Sequence, residues 1–273
     1  MGSVAKRPPW FTLGLLFLLA ACWPAVTPTS TQSPPAVQLR LGFADSVRPL
    51  METVLPIYSD EIPILELETE VGNAVVVLDD LQAGRIEAAL LPLDLDSEDE
   101  RWISLIALDG LALIANPENP VTGLTVPQAR AIFQGRIWSW DAVGGAAAEI
   151  EVVTREKHSA AREGFQRAVM EEHRVTLMAV VMANTAAVLD HVALHPHAIG
   201  YCAAASVNNR VKLLAVEGLY PSPETLANQS YPLTLPIYFV ALEEPVGPLR
   251  QFVAWLVSRD GQAVVSRRYS RVR

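Results

Sequence analysis

The chain has 273 residues, is 51% hydrophobic and only 19% charged, and carries a formal charge of −9. That is enough apolar material for one large domain or for two lobes with cores of their own. The acidic balance argues against nucleic acid and against broad docking to acidic lipid, but not against a small anion, which responds to the donors around it.

The N-terminal segment stands apart. "MGSVAKRPP" places Lys6 and Arg7 ahead of the apolar run "WFTLGLLFLLA", and "LAAC" closes the segment at Cys22. A basic start, an apolar run of roughly 12 residues and small residues before a break make a secretory signal over residues 1–21. The run is too short to cross ~30 Å of hydrocarbon as a helix of the mature chain. Cys22, directly after Leu-Ala-Ala, resembles the cysteine of a bacterial lipobox, which implies a lipid-modified N-terminus and an extracytoplasmic chain anchored to the cell membrane. "WPAVTPTSTQSPPAVQ", rich in Pro, Ser and Thr, is expected to be an extended tether, so residues 22–36 are assigned to the lipidated Cys and its linker. Cys202, in "IGYCAAAS", then lacks a disulfide partner and is expected to be a small buried side chain.

Beyond the tether, strand-like and helix-like stretches alternate. "AVQLRLGFA" reads as a strand and "SVRPLMETVLPIYSD" as a helix, with Ser46 as its cap and Pro49 in the first turn. "IPILELETEVG" is a strand, "NAVVVLDDLQAGR" a helix ending near Gly84, and "IEAALLPL" a strand. "WISLIALDGLALIANPENP" gives one or two buried strands that stop at Pro117 and Pro120. "GLTVPQARAIFQGRIWSW" holds a helix from about Pro127 to Gly135. "AEIEVVTRE" is a strand and "AAREGFQRAVMEEH" a helix. "TLMAVVMANTAAVLDHVALHPHAIGYCAA" reads as helix, turn and strand, and "RVKLLAVEG" as a strand. "YPLTLPIYFVAL" is extended, and "VGPLRQFVAWLVSRDGQAVVSRR" is a helix pair or one helix broken at Gly261. "SRRYSRVR" reads as a basic surface tail. The alternation predicts α/β layers around mixed, mostly parallel sheets flanked by helices.

Three strand-to-helix turns look alike: "FADSVRP", "EVGNAVV" and "REKHSAARE". Each puts Ser, Asn or Gly where a helix begins. The first N–H groups of a helix lack internal partners and carry partial positive charge, so converging helix starts can hold an anion. Arg155 would add a planar fork matched to two oxygens. The same spacing is also met by Ser159 capping its helix and Arg155 pairing with a nearby Glu.

Several stretches together resemble the phosphate-binding proteins of bacterial Pst-type ABC importers. "LTVPQARAIFQGRIWSWDAVGG" is similar to a signature stretch of that family, followed at the expected distance by "IEVVTREKHSAAREGFQ". "AIGYCAAASVNNRVKLLAVEG", "YPLTLPIYFVALEEPVGPLRQFVAWLVSRDGQAVV" and "FADSVRPLMETVLPIY" are similar to its other segments, so the resemblance covers about residues 38–267. It implies a two-lobed periplasmic-binding-protein fold of type II, with two crossover strands in "LALIANP" and "YPLTLPIYF". Lobe one would take residues 37–115 plus 235–273, and lobe two 116–234. The implied role is a monomeric solute-binding lipoprotein that binds phosphate or a similar oxyanion between the lobes and delivers it to the membrane subunits of an ABC permease. The alternative is a degenerate relative acting as a sensor or protein-interaction module.

The resemblance also places the site. Arg155 and Ser159 stand where the family's binding Arg and Ser stand, but the Gly and Thr that follow are Ala160 and Ala161 here. Asp45 stands at the usual hydroxyl position of the first loop, beside Ser46, and Asn73 replaces the serine of the second turn. Leu91 and Pro92 replace a Ser and its polar neighbour, with Asp94 as a shifted substitute. The expected ligand contacts are Arg155, Ser159, Ala160, Ala161, Ser46, Asp45 and Asn73, with Asp45 tuning the protonation state accepted. Each lost donor costs ~1–3 kcal/mol, and two or three such losses separate micromolar from millimolar binding.

Other clusters carry less. In "HVALHPHA" His191 and His195 could share a helix face, and with His197 three imidazoles could bind zinc, but Pro196 and the change of element argue against a common geometry, and no metal or other cofactor is expected. "DLDSEDE" lacks the central Gly and spacing of a calcium loop. Trp138 and Trp140 are expected to pack. No nucleophile elbow, Walker loop or His-Glu-x-x-His motif occurs, so the chain is not expected to be an enzyme.

Overall fold

The computed structural model describes Gly2 and residues 37–61, 65–93 and 100–272. The signal segment, Cys22, the tether and the acidic stretch 94–99, which includes Asp94, lie outside the described residues. Residues from Pro35 to Arg273 belong to one compact unit.

The first part of that unit alternates as the sequence predicts. Strand β1 (Val37–Ala44) leads through a 3-10 turn (Asp45–Val47) into helix α1 (Arg48–Glu61). β2 (Leu65–Gly72), α2 (Ala74–Gln82) and β3 (Ala88–Pro92) follow. β1 pairs in parallel with β2 and β3, the arrangement that helical crossovers impose. Ser46 does not cap α1, because the 3-10 turn takes the place of a cap; its hydroxyl is buried with no hydrogen-bond partner.

The stretch predicted as one or two strands is one, β4 (Trp102–Ala115). Then come β5 (Gly123–Leu124), α3 (Val126–Phe133), β6 (Glu151–Arg155) and a short α4 (Ala160–Phe165), which relaxes into a π-helical turn over Gln166–Met170. α3 starts with a capping box, Thr125 with Gln128. The stretch expected to begin as a helix instead gives β7 (Val180–Met182), then α5 (Thr185–Leu194) and β8 (Ala198–Ala203). Here parallel pairing with β6 at Val153–Arg155 overrides the local pattern. β9 (Lys212–Val216), α6 (Pro223–Ala227), β10 (Thr234–Ala241), α7 (Gly247–Leu256) and α8 (Arg259–Val265) complete the chain.

The last helix pair breaks at Val257–Ser258, not at Gly261. Ser258 accepts from the Gly261 amide (3.2 Å) and caps α8. Gly261 lies inside the helix because a Cβ there would stand 2.0 Å from the Trp255 carbonyl oxygen. The terminal "SRRYSRVR" is likewise not simply a surface tail. Tyr269 and Ser270 are buried, and Ser270 exchanges both backbone hydrogen bonds with Leu108 of β4 (2.9 and 3.1 Å).

The strands run in the order β2-β1-β3-β10-β4-β8-β6-β7, with β9 also on β4 and β5 on β9. β10 is antiparallel to both β3 and β4, and β4 is antiparallel to β8 and β9. Ile106 and Ala107 of β4 belong to a core with β1, β3, β10, α1, α7 and α8. Leu111, Leu113 and Ala115 belong to a second core with α3, α4 and Tyr201. A third cluster packs Ala112 and Ile114 against α5 and Cys202, whose thiol is held protonated by burial. β4 therefore passes from one core to the next near Leu108–Gly110. β10 does the same, with Tyr231 and Leu233 just ahead of it in the second core and Ile237 in the first.

Candidate functional site

β6 runs Glu-Val-Val-Thr-Arg from Glu151 to Arg155. Val152 and Val153 pack inward, and Arg155 ends the strand with only 2% exposure. A guanidinium buried so far requires partners for its N–H groups. Its own neighbour Glu156 takes the fork, Nε to Oε2 at 2.9 Å and Nη2 to Oε1 at 3.1 Å. Nη1 donates to Asp45 Oδ2 at 3.3 Å and to Thr185 Oγ1 at 3.1 Å, and Nη2 reaches the Ala183 carbonyl at 3.4 Å. Two carboxylates thus face one buried arginine. Arg162 Nη1 adds a second cation by donating to the Arg155 carbonyl at 2.5 Å.

The floor beneath is aromatic. Tyr201 lies flat on Phe165, with centroids 4.1 Å apart and planes 5° from parallel. Its hydroxyl bonds Thr154 Oγ1 (2.8 Å) and accepts from the Arg155 amide (3.3 Å). Burial raises its pKa, so the phenol stays neutral.

Around Arg155 the predicted helix starts do meet. Asp45 and Ser46 lie in the turn before α1, which packs on α4. Asn73 caps α2 by accepting from the Val76 amide (2.9 Å), so its side chain is already engaged. The next amide, Ala74 N, donates across to the His158 carbonyl (3.1 Å), which a left-handed His158 (φ 70°) turns toward it. Ser159 precedes α4 and is buried, and its hydroxyl makes no capping bond. Ala160 and Ala161 are buried too, and as the first amides of a helix they have no intrahelical acceptor.

A fourth helix start, absent from the sequence reading, completes the cluster. Asn184 caps α5, and Thr185 donates to Asp45 Oδ2 through its amide (2.8 Å) and its hydroxyl (2.6 Å). The signal was present in "ANTAAV", which repeats the Asn-marked helix start of "VGNAVV". The alternative in which Arg155 pairs with a nearby Glu holds for Glu156, whereas its other half, Ser159 as the helix cap, does not. Asp45 is thus less a tuner at the edge of the site than an occupant, with one oxygen on the donors of Arg155 and Thr185.

A cavity of about 350 Å³ opens on the outer side of Asp45, lined by Asp45, Arg48, Glu52, Thr185, Ser206 and Arg268. Arg48 Nε stands 3.7 Å from Asp45 Oδ1. Asp45 lines this cavity and Arg155 does not, so the carboxylate separates the open space from the buried guanidinium.

Of the two signature tryptophans, Trp140 is buried and bonds the His197 carbonyl (2.9 Å), whereas Trp138 is exposed.

Crossover strands and a mostly parallel sheet flanked by helices define a type II periplasmic-binding-protein fold. Residues 28–260 match the model of the PBP superfamily domain, and the chain belongs to that family. It is PstS-like within it. It is 27% identical to a phosphate-bound Clostridium perfringens protein assigned to phosphate ABC transport, with a TM-score of 0.81 over 86% of this chain and all of that one. An ABC-type phosphate transport receptor from Vibrio cholerae is 25% identical, with a TM-score of 0.71 over 85% of this chain and 99% of that one. The phosphate-binding protein PstS of Borreliella burgdorferi is 23% identical over 240 residues, 82% of this chain and 86% of the relative.

Proposed function

We propose that the chain is the extracytoplasmic solute-binding lipoprotein of an ABC importer, taking phosphate or a similar tetrahedral oxyanion between its lobes and presenting it to a permease. The observation that carries this reading is Arg155, buried to 2% exposure at the end of β6 amid four helix starts. A site of that make-up favours an oxyanion, and the relatives named above are phosphate-binding by description. The lobes flex where β4 changes cores near Leu108–Gly110 and just ahead of β10, so the boundary expected at residue 115 moves back to about residue 109, with lobe two running from there to about 234.

Asp45 sets the terms of binding. An entering anion takes over the Arg155 and Thr185 donors that Asp45 Oδ2 now uses, and Asp45 swings toward Arg48 and the neighbouring cavity. Ser46, Ser159 and the Ala160 and Ala161 amides supply the remaining donors. A fully ionised ligand is repelled by Asp45 and Glu156, so the site prefers an anion that keeps a proton.

The Asp45–Arg155 contact also favours a second reading, in which the internal carboxylate has replaced the solute and the chain is a sensor or interaction module. Calorimetry of the purified chain with phosphate, arsenate and sulfate decides between them. The importer reading expects phosphate and arsenate to bind below millimolar and to raise the melting temperature as linkage requires, with Arg155→Ala abolishing both effects. If none of the three binds or stabilises, the second reading stands.

A further inference from the structure

The histidine cluster of "HVALHPHA" was not absorbed by the oxyanion site, and it lies at the opposite end of α5 from Thr185. A ten-residue helix is about 15 Å long, so the two ends are separate sites. His191 occupies the last turn of α5 and His195 is its C-cap, so the pair share a helix face one turn apart. Their rings stack with centroids 3.7 Å apart and planes at 17°. Glu151, the first residue of β6, brings Oε1 to 3.0 Å from His191 Nε2. One ligand atom from each of the three residues lies within 4.8 Å of the other two. His191 and His195 share a helix face as the sequence allows, and the third member of the cluster is Glu151 in place of His197. Pro196 follows both residues, and the partner comes from another strand.

We propose that Glu151, His191 and His195 bind a divalent transition-metal ion, zinc foremost. The donor set is two imidazoles and a carboxylate, which suits zinc and its first-row neighbours rather than calcium or magnesium. Zinc bonds of about 2.0–2.2 Å bring tetrahedral donors closer together than 4.8 Å, so the stacked His191 and His195 rings turn on binding until their nitrogen lone pairs converge on the ion. His195 is already oriented for the task. Its Nδ1 lies 2.7 Å from the His191 carbonyl oxygen, which can only accept, so Nδ1 carries the hydrogen and Nε2 presents a lone pair. The C-terminal end of a helix also favours a cation. A cavity of about 480 Å³, lined by Glu149, Glu151, His195 and His197 among others, borders the cluster and leaves room for a fourth ligand. A bound ion ties α5 to β6 independently of what the interlobe site holds.

The test is zinc titration of the purified chain, prepared without a histidine tag, together with cobalt(II) absorption spectra. Expected are one zinc per chain, cobalt bands of a four-coordinate nitrogen–oxygen site, and affinity losses of at least tenfold in His191→Gln and His195→Gln. His158→Gln and His173→Gln leave the affinity unchanged. Circular dichroism of the metal-free variants separates loss of fold from loss of ligand. Zinc binding weaker than about 100 μM overturns the proposal, as does binding indifferent to the His191 and His195 substitutions; Glu151 and His191 then form only a hydrogen-bonded pair.

Discussion

At the scale of single residues, the tension in this molecule lies between Arg155 and Asp45. Leaving a buried guanidinium short of partners costs several kcal/mol, so a site without solute needs an internal anion, and Asp45 supplies it. The same contact weakens binding, because the solute must displace a partner that is always present. Asp45→Asn removes the charge while keeping an acceptor for Thr185. It should raise affinity for oxyanions by about tenfold or more, roughly 1.4 kcal/mol, with the largest gain for sulfate, which carries no proton at neutral pH. Without anion the variant should melt at lower temperature, since Arg155 loses one of its two carboxylates, and phosphate should restore the loss. Calorimetry and thermal melts check both halves, and an Asp45→Asn chain that binds no better refutes competition by Asp45. The turns that carry Arg155 and Ser159 were legible from the pattern of helix starts, and Asp45 was marked only by the family resemblance. Thr185 was not, because only tertiary packing carries the start of α5 to a turn 140 positions earlier.

Among the elements, β4 combines two duties, a central strand for one core and a crossover to the next. Asp109 lies at that transition, 1% exposed. Its Oδ1 accepts from the Gly110 amide (2.7 Å) and the Ala205 amide (3.2 Å), while Oδ2 is buried without a partner. Burial outweighs these two bonds and raises its pKa from 3.8 to about 7. A carboxyl whose folded pKa exceeds its unfolded one stabilises the fold fully below the unfolded value. That contribution fades as pH rises toward 7, at up to about 1.4 kcal/mol per pH unit. Asp109→Asn cannot titrate, so the stability difference between the native chain and the variant should slope between pH 4 and 7 and flatten above it. Denaturant melts across that range test this, and parallel curves refute it. The strand itself was legible as an apolar run, and so were the capped helices α2 and α3. β7 and the break before α8 were not, since pairing with β6 and a close approach to the Trp255 carbonyl override local preference there.

For the whole molecule, the family match and the N-terminal pattern support the proposed role outside the cytoplasm. Among the described residues no helix is long and apolar enough to cross a membrane, so attachment falls to Cys22 on the proposed reading. Cys22→Ala should move the chain from the membrane fraction to the soluble fraction and abolish incorporation of labelled fatty acid, without altering the anion affinity of the purified protein. Retention of label would refute lipidation at that residue.

The place of β10 in the sheet has a consequence for how the chain is made. It lies between β3 and β4, yet it is synthesised long after both, and Ser270 reaches β4 later still. Until residues near the end leave the ribosome or emerge from the export channel, β3 and the first half of β4 present unpaired edges to whatever is nearby. The segment from the second half of β4 to the start of β10 can meanwhile form its own core. An interrupted chain ending before Thr234 therefore carries one finished half and one half open to aggregation, and quality control would meet it in that form.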